Sequence, residues 1–198
     1  MTYIDNYLNE VSQVAGQIDQ SAVDKIIKLL LRIRKSGGRL FFLGVGGGAG
    51  NATHAVNDFR KICGIESYSS CDNVSELTAR INDDGWESVF TEWLKGCRLN
   101  KNDGVFVFSV GGGDEKNNIS VNLIRALQYS RTTGAKILGI VGRDGGFTRQ
   151  VADVCIVVPI VNINAITPHT EEFQSVVWHL IVSHPKMRLS EMKWESVK

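Results

Sequence analysis

A histidine and an aspartate four residues apart form the first candidate for chemistry. His54 and Asp58 lie in a stretch of helical character that follows a glycine cluster. Residues four apart project from the same face of an α-helix. An imidazole and a carboxylate so placed can hold one divalent cation or exchange protons as base and acid. An exposed helix pair with no chemical role has the same spacing, so both interpretations stay open.

A second set of polar side chains lies in the last predicted helix, at about residues 169–183, which stops at Pro185. Glu172, Ser175 and His179 follow one stripe of this helix. His179 therefore sits beside the apolar stripe that should face the core. A histidine in that position is either a hydrogen-bonded structural residue or a ligand.

Two glycine clusters supply backbone amides. The segments 44–50 (GVGGGAG) and 111–113 (GGG) each follow a short apolar run and precede a helical run. Glycines let backbone N–H groups approach a ligand, and a helix that begins there favours an anion. The first cluster lacks the spacing of a dinucleotide fingerprint, and no Lys-Ser or Lys-Thr follows as in a P-loop. Two such turns after two buried strands indicate a shared anionic or sugar ligand.

Alternating strands and helices must position these groups. Two leading helices are predicted over about residues 2–35, separated by an N-cap near Asp19. We predict strands at 39–44, 66–70, 104–109, 136–142 and 154–159, with further helices after the first glycine cluster and at 74–97, 117–132, 147–152 and 169–183. This alternation favours the α/β class: a three-layer α/β/α sandwich with a parallel sheet and ligand loops at the carboxyl ends of the strands.

One domain is expected over residues 1–198. A chain of this length supports one hydrophobic core. We divide the domain into leading helices (1–36), an α/β core (37–185) and a polar tail (186–198).

The composition argues against two classes of partner. The 198 residues include 22 Lys+Arg and 21 Asp+Glu, for a net charge of +1, which gives no field to steer the protein onto nucleic acid or anionic lipid. No apolar run approaches the roughly 20 residues of a bilayer span, and no secretory signal is visible. The four cysteines form no CxxC pair and are expected as reduced thiols. We therefore expect a cytoplasmic protein that binds neither nucleic acid nor membranes.

Taken together, these motifs resemble the sugar isomerase (SIS) domain, and within it the phosphoheptose isomerase group, over nearly the whole chain. The matching segments are 44–49 (GVGGGA) for the family's GNGGSA, His54 and Asp58 for a His and a Glu four apart, 82–87 (NDDGWE) for NDYGFE, 109–114 (SVGGGD) for the phosphate loop STSGNS, and Glu171-Glu172 with His179 for Gln-Glu and a catalytic His.

The resemblance implies an SIS fold and a homotetramer with active sites at subunit interfaces. The implied reaction converts sedoheptulose 7-phosphate to an aldose phosphate for the heptose of cell-surface glycans. In such a site Asp58 and His179 would exchange protons. The implied zinc ligands are His54, Asp58, Glu171 and His179. The implied substrate-binding residues are Gly46, Gly47, Gly48, Asn82, Asp83, Ser109, Val110, Gly111, Asp114 and Glu171.

The departures from the family pattern concentrate at the phosphate end. Ser109 is one hydroxyl where several are expected, and Asp114 would repel a phosphate. Glu171 is charged where the family has Gln, and it is about 12 Å along the helix from His179, so one ion reaches both only by a bent approach. Two alternatives remain: an enzyme acting on a differently substituted sugar, and a sugar-phosphate-binding or regulatory protein without isomerase activity.

Overall fold

A five-stranded parallel sheet forms the centre of the protein, whose computed structural model describes residues 2–190. In chain order the strands are β1 (Leu40–Gly44), β2 (Ser67–Ser69), β3 (Gly104–Ser109), β4 (Lys136–Val141) and β5 (Val154–Val157). Their order across the sheet is β2-β1-β3-β4-β5, with every neighbouring pair parallel. Because β2 and β3 flank β1 on opposite sides, the carboxyl ends of β1 and β3 open the crevice where such sheets bind ligands.

Helices cover both faces of this sheet. Within residues 2–190 they are α1 (Tyr3–Gln17), α2 (Gln20–Lys35), α3 (Gly47–Lys61), α4 (Val74–Asp84), α5 (Val89–Gly96), α6 (Val121–Thr133), α7 (Gly146–Val151) and α8 (Ile166–Ser183), with a 3-10 turn at Ile163–Ala165. None of them combines the length and the apolar character that a membrane span requires.

Alternation along the strands divides the core in two. Successive strand residues point to opposite faces. Phe42 and Phe106 pack with α2, α3 and α8 on one face, whereas Phe41 and Val105 pack with α5 and α6 on the other. The predicted three-layer α/β/α sandwich with a parallel sheet and two leading helices is confirmed.

The predicted strands agree with the observed ones to within two residues at each end, but three helix predictions need correction. The single helix expected at 74–97 is two helices, because the chain leaves the helical conformation at Gly85, where φ is +83°. The helix expected from residue 117 begins at Val121, because Asp114 and Ile119 pair in an antiparallel bridge just before it. The last helix begins at Ile166, three residues earlier than expected.

The first residues of the predicted polar tail lie against the body of the domain. Met187 is fully buried, and Arg34 of α2 donates hydrogen bonds to the carbonyl oxygens of Cys63 and Met187, at 3.0 and 2.6 Å. Residues 186 and 187 are therefore fastened to α2, and the backbone amide of Leu189 donates to the carbonyl oxygen of Ile62 at the end of α3. The remainder of the predicted tail lies outside the described residues.

All four cysteines are free thiols in the structure. Burial raises the pKa of Cys63 and of Cys155 to about 12. Since a thiol with such a pKa is protonated at neutral pH, these two side chains act as small apolar groups.

A buried carboxylate ties the start of β1 to the start of β3. Asp103 is 1% exposed and accepts hydrogen bonds from the Arg39 guanidinium, at 2.8 Å for Nη2, and from the backbone amides of Arg39 and Asn100. This carboxylate in turn raises the pKa of Arg39. The Asp103 side chain therefore satisfies several hydrogen-bond donors at once.

Replacing Asp103 with alanine should lower the free energy of unfolding by about 3–5 kcal/mol, because the variant leaves buried donors and a guanidinium without their acceptor. Urea unfolding of both proteins measures the change. The control is Lys95→Ala, which removes an exposed ion pair with Glu92 and should cost less than about 1 kcal/mol. Equal losses in the two variants would contradict the prediction.

Candidate active site

Three of the predicted ligand residues converge where α3 packs against α8. Nε2 of His54 and Nε2 of His179 lie 4.0 and 3.9 Å from Oδ2 of Asp58. One ligand atom from each residue lies within 4.8 Å of the other two. Two imidazole nitrogens and a carboxylate oxygen are a donor set that Zn²⁺ binds at about 2.0–2.2 Å, so small side-chain movements would bring all three around one cation.

Asp58 provides the observation that tests this fit. The residue is 2% exposed, and its Oδ1 accepts a hydrogen bond from Asn57 Nδ2 at 2.9 Å. Its Oδ2 is buried without any hydrogen-bond donor. A carboxylate oxygen removed from both water and donors is unfavourable unless a positive charge compensates it. A cation held with His54 and His179 supplies that charge, so the residues fit a metal ion.

The hydrogen bonding of His179 also suits a ligand. Its Nδ1 lies 2.8 Å from the backbone carbonyl oxygen of Ser175. A carbonyl only accepts, so Nδ1 carries a proton, and in the neutral ring Nε2, the nitrogen nearer Asp58, carries the lone pair. Metal-bound histidines are commonly oriented in this way by a carbonyl behind the ring. The His54 ring is held edge-on against Trp178, with centroids 4.8 Å apart, and is exposed on its other side.

A cavity of about 180 Å³ opens at the carboxyl ends of β1 and β3. It is lined by Gly44, Val45, Gly48, Phe90, Phe108, Ser109, Val110, Gly111, Ser120, Leu123 and Glu171. The helices α3 and α6 both begin beside it, which places the positive ends of two helix dipoles at one cavity. With two serine hydroxyls on its wall, the cavity suits an anion such as a phosphate.

Ser120 lines the cavity but is absent from the residues predicted from the family motif. The family motif was matched to 109–114, which puts Asp114 at the last serine of the phosphate loop. In the structure Ser120 immediately precedes α6, has a φ of +55° and makes no side-chain hydrogen bond to the helix. Its hydroxyl can therefore supply the donor that the match to 109–114 lacks. The signal was the apolar run that begins at Val121, which marks the true start of the helix.

Asp114 is correspondingly displaced from the anion cavity. Its carboxylate accepts hydrogen bonds from the backbone and side-chain amides of Asn117, which lower its pKa. It lines a larger neighbouring cavity of about 910 Å³. The expected repulsion between Asp114 and a phosphate beside Ser109 is not supported by this placement.

Glu171 lies apart from the His54, Asp58 and His179 group. Its carboxylate lies against Gly47 at the start of α3, where a Cβ atom on Gly47 would collide with it. The Glu171 backbone carbonyl accepts a hydrogen bond from Asn51 Nδ2 at 2.9 Å. Because α8 is helical from Ile166 onward, no bend brings Glu171 towards His179. This placement favours the predicted substrate-binding role of Glu171 over its predicted ligand role.

The remaining predicted residues divide into two groups. Val110 and Gly111 line the cavity with Ser109, and Gly46, with a φ of +60°, makes the turn into α3. Asn82 and Asp83, in contrast, are exposed on α4 and line neither cavity. The protomer therefore does not bring Asn82 and Asp83 to the site.

Gly48 shows why the phosphate end departs from the family. A Cβ atom on Gly48 would collide with the backbone carbonyl oxygen of Phe108, so the close approach of α3 to β3 excludes the serine found in the family motif.

Gly48→Ala should lower the free energy of unfolding by about 1–3 kcal/mol and weaken phosphate binding. Thermal unfolding and phosphate titration measure the two effects.

The matched control is Gly50→Ala, two residues further along α3. A Cβ atom on Gly50 meets nothing within 4 Å, so this variant should be stabilised by about 0.5–1 kcal/mol through helix propensity. Loss of stability in both variants would show that the close approach is not the cause.

Comparison with known proteins identifies relatives over most of the chain. No protein-family model matches the chain. It is 28% identical over 195 residues to the lincomycin biosynthesis protein LmbN of Streptomyces lincolnensis, covering 93% of this chain and 69% of that protein. It is 30% identical over 150 residues to the phosphoheptose isomerase of a Nitratiruptor species, covering 73% and 74% of the two chains. The structure of phosphoheptose isomerase from Neisseria gonorrhoeae matches with a TM-score of 0.78 and 22% identity, covering 90% of this chain and 94% of that one.

The parallel sheet, the cavity between β1 and β3 and the structural match define a protein of the SIS fold. The similarity to the Nitratiruptor protein then identifies the family within this fold. The chain belongs to the phosphoheptose isomerase family.

Proposed function

We infer that the protein isomerises a ketose phosphate to an aldose phosphate, with sedoheptulose 7-phosphate as the substrate, in the synthesis of cell-surface glycans. The observation that carries this function is the alignment of two sites along α3. The anion cavity lies at the start of the helix, and His54 follows Gly47 by seven residues, about 10 Å along the axis. A sugar phosphate held by its phosphate at the cavity can extend its carbonyl end towards the histidines.

The phosphate end is held by groups that suit a dianion. The hydroxyls of Ser109 and Ser120 can donate to phosphate oxygens, and Gly111 presents backbone to the same cavity. Ser109 already accepts a hydrogen bond from the Gly112 amide at 3.0 Å, which leaves its own proton to donate to the ligand. Two helix N-termini add favourable electrostatics.

Zinc is the proposed cofactor, held by His54, Asp58 and His179. When bound, such an ion polarises a carbonyl oxygen and stabilises negative charge that develops on it. Isomerisation also needs a base for a carbon-bound proton and an acid for the oxygens. The family resemblance assigns these roles to Asp58 and His179.

A proton NMR time course with sedoheptulose 7-phosphate tests the function. The purified protein, loaded with zinc and assayed for metal content, should generate aldose anomeric signals. Their absence from a protein shown to hold zinc would contradict the proposed function.

A second candidate is an isomerase of a differently substituted sugar. It is favoured by the carboxylate of Glu171 in the cavity and by the relative from lincomycin biosynthesis. Competition assays against a panel of sugar phosphates would separate the two: faster turnover of another sugar phosphate would support this candidate. A binding or regulatory role would give sugar-phosphate affinity without turnover of any of them.

We propose that the protein assembles into a homotetramer. Its proposed location is the cytoplasm. Support comes from apolar side chains left uncovered in the protomer: Ile4 and Leu8 on α1 are 68% and 60% exposed, and Val74 on α4 is 69% exposed. A neighbouring subunit is also the means by which Asn82 and Asp83 could reach an active site. Sedimentation equilibrium measures the assembly.

A further inference from the structure

The larger cavity, of about 910 Å³, lies beside the anion cavity and shares Val110, Gly111 and Ser120 with it. Its walls are formed by the segments that follow β3, β4 and β5. Pockets that bind small molecules have volumes of about 300–1,000 Å³. The proposed function gives this cavity no ligand, although it has the size and the position in the fold of a binding site.

Arg143 supplies a positive charge to the wall of this cavity. A Cβ atom built on Gly111 would lie 3.9 Å from Cδ of Arg143, so the arginine side chain passes over a glycine that lines both cavities. The Arg143 side chain forms no hydrogen bond or ion pair with another group of residues 2–190. Its guanidinium is therefore available to an anionic ligand, and the paired N–H donors of a guanidinium match the oxygens of a phosphate.

The backbone of Arg143 is left-handed, with a φ of +51°. A residue with a side chain adopts this conformation at a cost, and such residues concentrate at ligand sites. Glycine would relieve the cost, as it does at Gly145 and Gly146 in the same loop, where φ is also positive. The fold itself therefore gives no reason for an arginine at position 143.

The acidic side chains on the wall are engaged within the protein. Each accepts a hydrogen bond from a protein amide: Asp114 from Asn117, Glu115 from Gln128 and Asp144 from Gly146. Their remaining lone pairs can accept from the hydroxyl groups of a ligand. The side-chain donors left for a ligand include the two cationic groups, Arg143 and Lys116.

The same cavity has an apolar wall. Ile119, Ile160 and Ile163 line it and are 55%, 47% and 72% exposed. Large apolar side chains left exposed together in a cavity are typical of a ligand-binding surface. The cavity therefore suits a molecule with an anionic group, hydroxyl groups and a flat apolar part, and a nucleoside phosphate combines all three.

We propose that the larger cavity binds a nucleoside phosphate as a second ligand, in addition to the sugar phosphate. Its phosphate oxygens accept hydrogen bonds from the Arg143 guanidinium and the Lys116 ammonium. Its ribose hydroxyls donate to the carboxylates of Glu115 and Asp144, a pairing common in nucleotide sites. Its base packs on the isoleucine side chains.

Calorimetric titration with ADP tests the site and requires neither zinc nor turnover, so its result is separate from that of the proposed function. The wild-type protein should bind ADP with a Kd below about 1 mM. Arg143→Gly should raise this Kd by at least about 10-fold, because hydrogen bonds to a charged group are lost. The melting temperature of this variant should not fall, because glycine suits the left-handed backbone.

Arg98→Gly is the matched control. Arg98 has the same residue type and nearly the same backbone, with a φ of +54°, but it lines neither cavity. This variant should bind ADP as the wild type does. Ser109→Ala should also keep its ADP affinity, because Ser109 lines the anion cavity and not the larger one.

Three results would overturn the proposal: no binding of ADP by the wild type, an equal loss of affinity in Arg143→Gly and Arg98→Gly, or undiminished affinity in Arg143→Gly. Titration with inorganic pyrophosphate tests the nucleoside part. Pyrophosphate should bind more weakly than ADP, because it makes no contact with the isoleucines. Equal affinity for the two would contradict the assignment of the ligand as a nucleoside phosphate.

Discussion

Replacing His179 with alanine is expected to lower kcat/KM for the sugar phosphate by at least about 10³-fold while the chain remains folded. In the proposed function the variant removes a cation ligand and an acid at once, and each loss is worth about 10²-fold or more. The His179 side chain is 38% exposed, so its removal opens no large core cavity. Steady-state kinetics, zinc content and thermal unfolding measure the three consequences.

His184→Ala is the control for this variant, because His184 lies just beyond the end of α8 and accepts a hydrogen bond from the Lys186 amide. It should retain zinc and activity. Near-normal turnover by His179→Ala would show that the group of His54, Asp58 and His179 has no part in the mechanism.

Replacing Ser109 and Ser120 together with alanine should raise the KM for the sugar phosphate by about 10²-fold or more, with a smaller change in kcat. A hydrogen bond to a charged group contributes about 1.5–3 kcal/mol, and two such bonds to the phosphate are lost. The single variants should each raise KM by at least about 10-fold. Titration with inorganic phosphate, followed by calorimetry, reports the same loss without catalysis.

Ser12→Ala serves as the control for the double variant, because that hydroxyl lies on exposed α1 and donates to the carbonyl oxygen of Leu8. A Ser120→Ala protein that binds phosphate as well as wild type would contradict the role of Ser120 in phosphate binding. Asp114 would then be the residue that corresponds to the last serine of the family's phosphate loop.

Most strands and helices of the fold could be predicted from the sequence because the residue patterns that predict them are local. The strand at Leu40–Gly44 is a continuous apolar run, and such runs are typical of strands buried on both faces. The leading helices have apolar residues at intervals of three and four, and they are preceded by Thr2 and Asp19, whose side chains accept hydrogen bonds from the first turns.

The errors arise where distant contacts or an unusual backbone decide the structure. The helical pattern of 74–97 continues through Gly85, and only the positive φ at that glycine divides it. The loop between β3 and α6 is long enough that Ser120, and not Asp114, lines the cavity. The bridge between Asp114 and Ile119 within this loop depends on the folded backbone. The structure brings His54, Asp58 and His179 together; helical spacing predicts the first pair and the family resemblance adds His179. The contact between Glu171 and Gly47, in contrast, depends on how two helices pack.

The link between Arg34 and the carbonyl of Met187 has a consequence for the order in which the protein folds. These residues are 153 positions apart, and the sheet face that they help to close also needs α8. At roughly 5–20 residues per second of synthesis, Ile26 and Leu30 of α2 wait about 8 to 30 s before their last partners leave the ribosome. The apolar face of α2 therefore stays without its C-terminal partners throughout that interval.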